Sequence, residues 1–241
     1  MDITGTSALV TGASRGLGRA LAEALAARGA KVALVARELG PLAEVVAGIR
    51  ARGGEAHAIA ADVADKDAVH RIAGQAHGLV GELGLVIHNA STLGPVPLRL
   101  LLDTACEDLA AVLETNLVGP FRLTKALAGA MVLGGGGVVV HVSSDAAVEP
   151  YPRWGAYGIA KAAQDQLSRV LAAELAETGV RVLAIDPGEM DTAMHAAAMP
   201  EAERSGLQRP ATVAAQILAM IADPVRAPSG ARLVAPAWSA S

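Results

Sequence analysis

The chain has 241 residues, 52% of them hydrophobic and 18% charged, with a formal net charge of −4. That length fits one α/β domain with a substantial core, and the scattered charges, with no basic cluster or charged tail, exclude a nucleic-acid surface. Cys106 is the only cysteine, which rules out an intrachain disulfide and a cysteine metal cage; no metal is expected, and a reducing cytoplasm suits the composition.

Nothing before residue 8 joins a charged segment to an apolar one, so no signal peptide is expected. In chain order the predicted elements are strand 8–11, helix 16–28, strand 31–35, helix 41–52, strand 56–60, helix 66–80, strand 85–88, helix 104–131, strand 138–142, helix 155–177, strand 180–185, helix 210–222 and strand 232–235. The strands are continuous runs of Val, Ile, Leu and Ala, a composition that demands burial on both faces. Right-handed crossovers then give one doubly wound α/β domain, a mostly parallel seven-stranded sheet with helices on both faces. The longest uncharged stretch, 126–142, holds Gly134, Gly135, Gly136 and Gly137; it reads as helix end, turn and strand, so no membrane span is expected. Segment 188–209 has no strong period and holds Met190, Met194, His195 and Met199. It leaves the C-terminal end of a strand and reads as an adaptable apolar lid, ending where Pro210 opens the next helix.

Three groups of residues point to chemistry. Thr11-Gly12-Ala13-Ser14-Arg15-Gly16-Leu17-Gly18 lies between the first strand and the first helix. Glycines there let a pyrophosphate approach main-chain N–H groups at a helix N-terminus. The second strand ends at Val35-Ala36-Arg37, without the acidic residue that would select NAD(H); Arg37, with Arg15 as a second clamp, suits a 2′-phosphate and favours NADP(H) over NAD(H). Tyr157 and Lys161 stand four residues apart and share one face of a helix. A fixed ammonium beside the phenol is expected to lower its pKa from about 10, which fits the hydroxyl for proton transfer. Ser144 follows a buried strand, at the sheet edge where open parallel sheets bind ligands. Asn116 precedes Pro120 by four residues in a stretch otherwise patterned as one long helix. Proline has no N–H, so the Asn116 carbonyl loses its helical partner and needs another donor, typically water.

In this order and spacing, the motifs resemble the classical short-chain dehydrogenase/reductase family over nearly the whole chain. The turn from Thr11 to Gly18, including Gly12, Ser14, Arg15, Gly16, Leu17 and Gly18, is similar to its cofactor-binding turn. Asp62-Val63 is similar to the pair whose carboxylate receives the adenine amino group, and Asn89-Ala90 to the centre of an Asn-Asn-Ala-Gly motif that here reads His88-Asn89-Ala90-Ser91. Asn116, Ser144, Tyr157 and Lys161 match the catalytic tetrad, and Pro187-Gly188 with Thr192 resembles the segment that packs on the nicotinamide. The resemblance implies a Rossmann-type fold and interconversion of a carbonyl (a ketone or aldehyde, a 3-oxoacyl thioester being one candidate) and its alcohol. Tyr157 would then act as general acid/base and Ser144 would stabilise the substrate oxygen. Lys161 would hold the nicotinamide ribose, and Asn116 a water linking Lys161 to solvent. A homodimer or homotetramer built on helices 104–131 and 155–177 is also implied, although the C-terminus lacks the Asp-Gly-Gly ending common among tetrameric members.

The remaining candidates concern substrate. Asp145, Tyr151 and Trp154 lie between Ser144 and Tyr157, where a pocket wall belongs, and Met190, Met194 and His195 lie in the lid segment. His88 and His141 end buried strands and read as core or wall. The alternative to an enzyme is a non-catalytic dinucleotide-binding sensor or scaffold of the same fold. Loss of Tyr157 or Lys161 would favour it, and both are present.

Overall fold

The computed structural model describes residues 1–238. Its seven strands are β1 (Ser7–Thr11), β2 (Lys31–Ala36), β3 (Glu55–Ala60), β4 (Leu83–His88), β5 (Gly137–Val142), β6 (Val180–Asp186) and β7 (Arg232–Val234). They form one sheet in the order β3-β2-β1-β4-β5-β6-β7, and every neighbouring pair is parallel. The helices are α1 (Gly16–Ala27), α2 (Leu39–Ala51), α3 (Val69–Val80), α4 (Cys106–Leu113), α5 (Gly119–Leu133), α6 (Gly155–Glu174), α7 (Ala193–Ala198) and α8 (Pro210–Ala222).

Side chains alternate across a strand, and here both faces are apolar. Ala8, Val10, Val32, Leu34, Val138 and Val140 join a core with α1, α2 and α8. Leu9, Ala33, Val35, Val139 and Val182 join a second core with α3, α5 and α6. That double burial is why the strands read as unbroken aliphatic runs. The strand order reverses between β1 and β4, and the crevice at that switch point is where such sheets take ligands.

Three departures from the sequence reading have physical causes. The predicted helix 104–131 is broken: α4 gives way to a π-helical turn over Glu114–Val118 before α5 begins at Gly119. Pro120 cannot supply the N–H that would continue the ladder, and a π turn absorbs the defect. Gly119 also sits so close to β3's exit loop that a Cβ there would lie 2.5 Å from the Val63 carbonyl oxygen. Segment 188–209 is not structureless: it contains α7, and Met190 bridges Gln208 while packing against the first core. The last strand stops at Val234, because residues Ala235–Ala237 turn into a 3₁₀ helix around Pro236.

His88 and His141 pair in register at the ends of β4 and β5 and stack, with ring centroids 4.9 Å apart. Each has one partner: His88 Nε2 meets Thr124 Oγ1 at 2.8 Å, and His141 Nδ1 meets Ser168 Oγ at 2.9 Å. Burial holds the His88 pKa down to about 3, and burial together with the charges of His88 and Lys161 holds His141 well below its usual range. The unfolded chain takes up protons below about 6.5 that the folded chain refuses. Stability is therefore fully present above that pH and falls as pH drops, for His88 by about 1.4 kcal/mol per pH unit down to about 3. Denaturant unfolding at pH 7 and pH 5 should show a smaller loss for His88→Asn than for the parent chain; equal losses would contradict the buried neutral imidazole.

Candidate active site

β1 runs directly into the glycine turn. Gly12 and Gly16 have φ of +66° and +55°, a left-handed backbone that favours glycine. Gly18 is required by contact: a Cβ there would lie 2.3 Å from the Gly12 carbonyl oxygen, and one on Gly12 would lie 2.8 Å from Ala90 Cα. Asn89 pins this turn, its Nδ2 donating to the carbonyls of Thr11 (2.9 Å) and Gly12 (3.2 Å), while Thr11 Oγ1 accepts from the N–H groups of Asn89 and Ala90. No side chain caps α1 after Arg15, which leaves its first-turn N–H groups aimed at the crevice. Ser14 and Leu17 complete the turn, with Leu17 buried beneath it. A turn of this shape, with no room for a Cβ at Gly12 or Gly18, fits a pyrophosphate.

The neighbouring candidates converge on the same edge. Ala36 is buried at the end of β2, and Arg37 and Arg15 are exposed. Asp62 Oδ1 accepts from the Ala64 N–H, holding the turn after β3, with Val63 buried beside it. Gly188, at φ +69°, follows the buried Pro187, and its N–H donates to Asp186 Oδ1. Thr192 caps α7 by accepting from the His195 N–H, and its methyl comes within 3.5 Å of a Cβ built on Gly16. The loop after β6 thus reaches back over the glycine turn.

α6 carries Tyr157 and Lys161 inward. Both are buried, with the Lys161 ammonium 5.6 Å from the Tyr157 ring centre. Lys161 Nζ donates to the Val142 carbonyl (2.6 Å) and to Gln164 Oε1 (3.2 Å). Burial lowers its pKa to about 8, against the opposing pull of Asp165 and Asp186. Tyr157 corrects the sequence argument: burial raises its pKa to about 12, and hydrogen bonding with Ser144 and Ser91 offsets only part of that. The ammonium does not outweigh the cost of desolvating a phenolate. Ser144 Oγ donates to Asp145 Oδ1 (2.9 Å), and Asp145 Oδ2 accepts from the Tyr151 hydroxyl (3.0 Å).

Trp154 packs edge-on against Tyr157 at 5.8 Å, and Leu93, Ala146, Leu98 and Ala198 complete an apolar cluster around them. The lid residues diverge. Met190 packs toward the core, Met194 is exposed on α7, and His195 sits with Nε2 3.8 Å from Glu189.

Asn116 is fully buried at the π turn, and its side chain is clamped to Thr92: Oδ1 accepts from the Thr92 N–H (2.8 Å) and Nδ2 donates to the Thr92 carbonyl (2.9 Å). Its backbone carbonyl has indeed found a donor outside the helix, Gln164 Nε2 at 2.7 Å.

Sequence reasoning missed three more residues. Ser91, which stands where the family motif has glycine, donates to Asn116 Oδ1 (3.2 Å). Arg232 on β7 donates to Asp165 Oδ2 (2.8 Å), Asp186 Oδ2 (3.1 Å) and the Ser144 carbonyl (2.8 Å). Gln164 lies one helical turn beyond Lys161, a spacing that could have flagged it.

The chain is also similar to known proteins. The short chain dehydrogenase family model matches residues 6–203. A short chain dehydrogenase from Pseudocercospora fijiensis is 38% identical over 81% of this chain and 63% of its own length. A 3-oxoacyl-[acyl-carrier-protein] reductase from Synechocystis is 38% identical over 80% of this chain and 77% of its own length. Among solved structures, a short chain dehydrogenase from Shigella flexneri complexed with NADP superposes with a TM-score of 0.88 at 29% identity, covering 98% of this chain and 99% of that one. A 7α-hydroxysteroid dehydrogenase complexed with NADH and 7-oxo glycochenodeoxycholic acid gives 0.88 at 28% identity, covering 96% and 93%. The chain belongs to the short-chain dehydrogenase/reductase family of oxidoreductases.

Arg232 offers a direct test of the site's support. Removing one member of a buried ion cluster leaves uncompensated charge, here on Asp165 and Asp186, at a cost of about 3 kcal/mol. Arg232→Ala should lower the melting temperature by roughly 10 °C; a shift within 2 °C or so would show that the cluster contributes little.

Proposed function

We propose that the chain is an NADPH-preferring reductase that converts a ketone or aldehyde to its alcohol, with Tyr157 as the acid. The observation that carries this reading is the meeting of Tyr157, Ser144 and Lys161 beside the glycine cradle at one sheet edge. When bound, the dinucleotide supplies the hydride. Gly12, Ser14, Gly16, Leu17 and Gly18 would hold its pyrophosphate, with Asp62, Val63, Asn89 and Ala90 toward the adenosine half and Pro187, Gly188 and Thr192 toward the nicotinamide.

A phenol held at about 12 is protonated throughout the neutral range, so Tyr157 starts loaded for donation to a carbonyl oxygen. Ser144 donates to the same oxygen as negative charge develops. Lys161, charged below about 8, holds the ribose hydroxyls and favours the tyrosinate left after transfer. Asp145, Tyr151 and Trp154 line the substrate side, with Met194 and His195 above. The Synechocystis relative makes a 3-oxoacyl thioester the first compound to assay. The solved neighbours include both an NADP and an NADH complex, so the cofactor reading rests on exposed Arg37 and Arg15 and the absence of an acid at the end of β2. Exposed Phe121 and Ile159, on α5 and α6, support association of two or four copies through those helices.

Tyr157→Phe should lower turnover by about 10²–10⁴-fold while leaving NADPH affinity within a few-fold of the parent. Turnover comparable to the parent would overturn the assigned role. Arg37→Asp should move the NADPH/NADH affinity ratio toward NADH by tenfold or so; an unaltered ratio would remove Arg37 from the cofactor site.

A further inference from the structure

Resting on the function just proposed, the geometry points to Gln164 as a positioning residue whose amide stands where water would otherwise join the Asn116 carbonyl to the Lys161 ammonium. Pro120 strips that carbonyl of its helical donor, and the π turn leaves it facing α6 in the interior, where Asn116 is fully buried. Gln164 is also fully buried and lies one turn beyond Lys161 on the same face. Its two ends fit the two needs: Nε2 donates to Asn116 O at 2.7 Å, and Oε1 accepts from Lys161 Nζ at 3.2 Å. Lys161 gives a second N–H to the Val142 carbonyl, which leaves one of its three for the cleft.

An amide does this differently from water. It is already tethered, so no immobilisation cost attends the bridge, and Lys161 is held in place before any ligand arrives. Nor does a carboxamide readily accept a proton on one end and release it from the other. The bridge therefore orients Lys161 but passes no proton to the rear of the sheet. Tyr157 and Lys161 then exchange protons with solvent through the open cleft.

Three substitutions separate this role from packing. Gln164→Ala opens room for one or two waters between two polar partners and should keep kcat within about fivefold of the parent, with ordered water at the vacated amide in a crystal structure. Gln164→Leu keeps the volume but leaves the Asn116 carbonyl and one Lys161 N–H buried without partners, and should lower kcat by about 10–100-fold. A packing role predicts the reverse order, because a cavity is worse than an isosteric fill; Leu equal to or better than Ala overturns the inference. Gln164→Glu places a carboxylate beside the ammonium and should raise the Lys161 pKa by about one unit or more, read by NMR of ¹³Cε-labelled lysine in the ligand-free protein. No rise would also overturn it. If the parent reduces no carbonyl with NADPH, the proposed function fails, while the lysine titration and the water in Gln164→Ala still decide the role of Gln164.

Discussion

The burial of one ammonium governs this site. Lys161 is among the largest fully buried side chains of the molecule, and an isolated charge there would be far too costly. The surroundings answer it at three distances. The Val142 carbonyl and the Gln164 amide accept its protons directly. Asp165 and Asp186 supply opposing charge from further away. Arg232 in turn pairs with both carboxylates and holds them in place. The last short strand is therefore part of the site's electrostatics, although it touches no predicted catalytic side chain except through the Ser144 carbonyl.

Much of the fold was legible because double burial leaves a direct mark on sequence. Strands such as Val138–Val142 could only be core, and the glycines from Gly12 to Gly18 could only be a turn that something must approach closely. Ser144, Tyr157 and Lys161 stood out on the resemblance to the family, since their spacing depends on one strand end and one helix. The partners of those residues did not. Gln164 meets Asn116 across 48 positions, and Arg232 meets Asp165 across 67; periodicity carries no information about which side chains cross such distances. Met190, expected in an adaptable apolar lid, bridges to Gln208 and packs against the core, a partner that an aperiodic segment does not announce.

The pKa of Tyr157 shows how local reasoning can reach the right residue with the wrong balance of forces. Four-residue spacing brings the ammonium near, as expected. Desolvation is nevertheless the larger effect, because the phenol is enclosed by Trp154, Leu93 and Ala146. His88 and Ser91, the two departures from the family motif, are likewise integrated: the first stacks on His141, and the second adds a hydroxyl between Asn116 and Tyr157.

Gly119 extends this dependence beyond the crevice. Its missing side chain lets the start of α5 rest on the Val63 main chain, so the loop after β3 and the helical segment that follows the Asn116 turn share a seam with no slack. Any larger residue at that seam would wedge the two apart, and the crevice would register through the main chain alone a change made outside it.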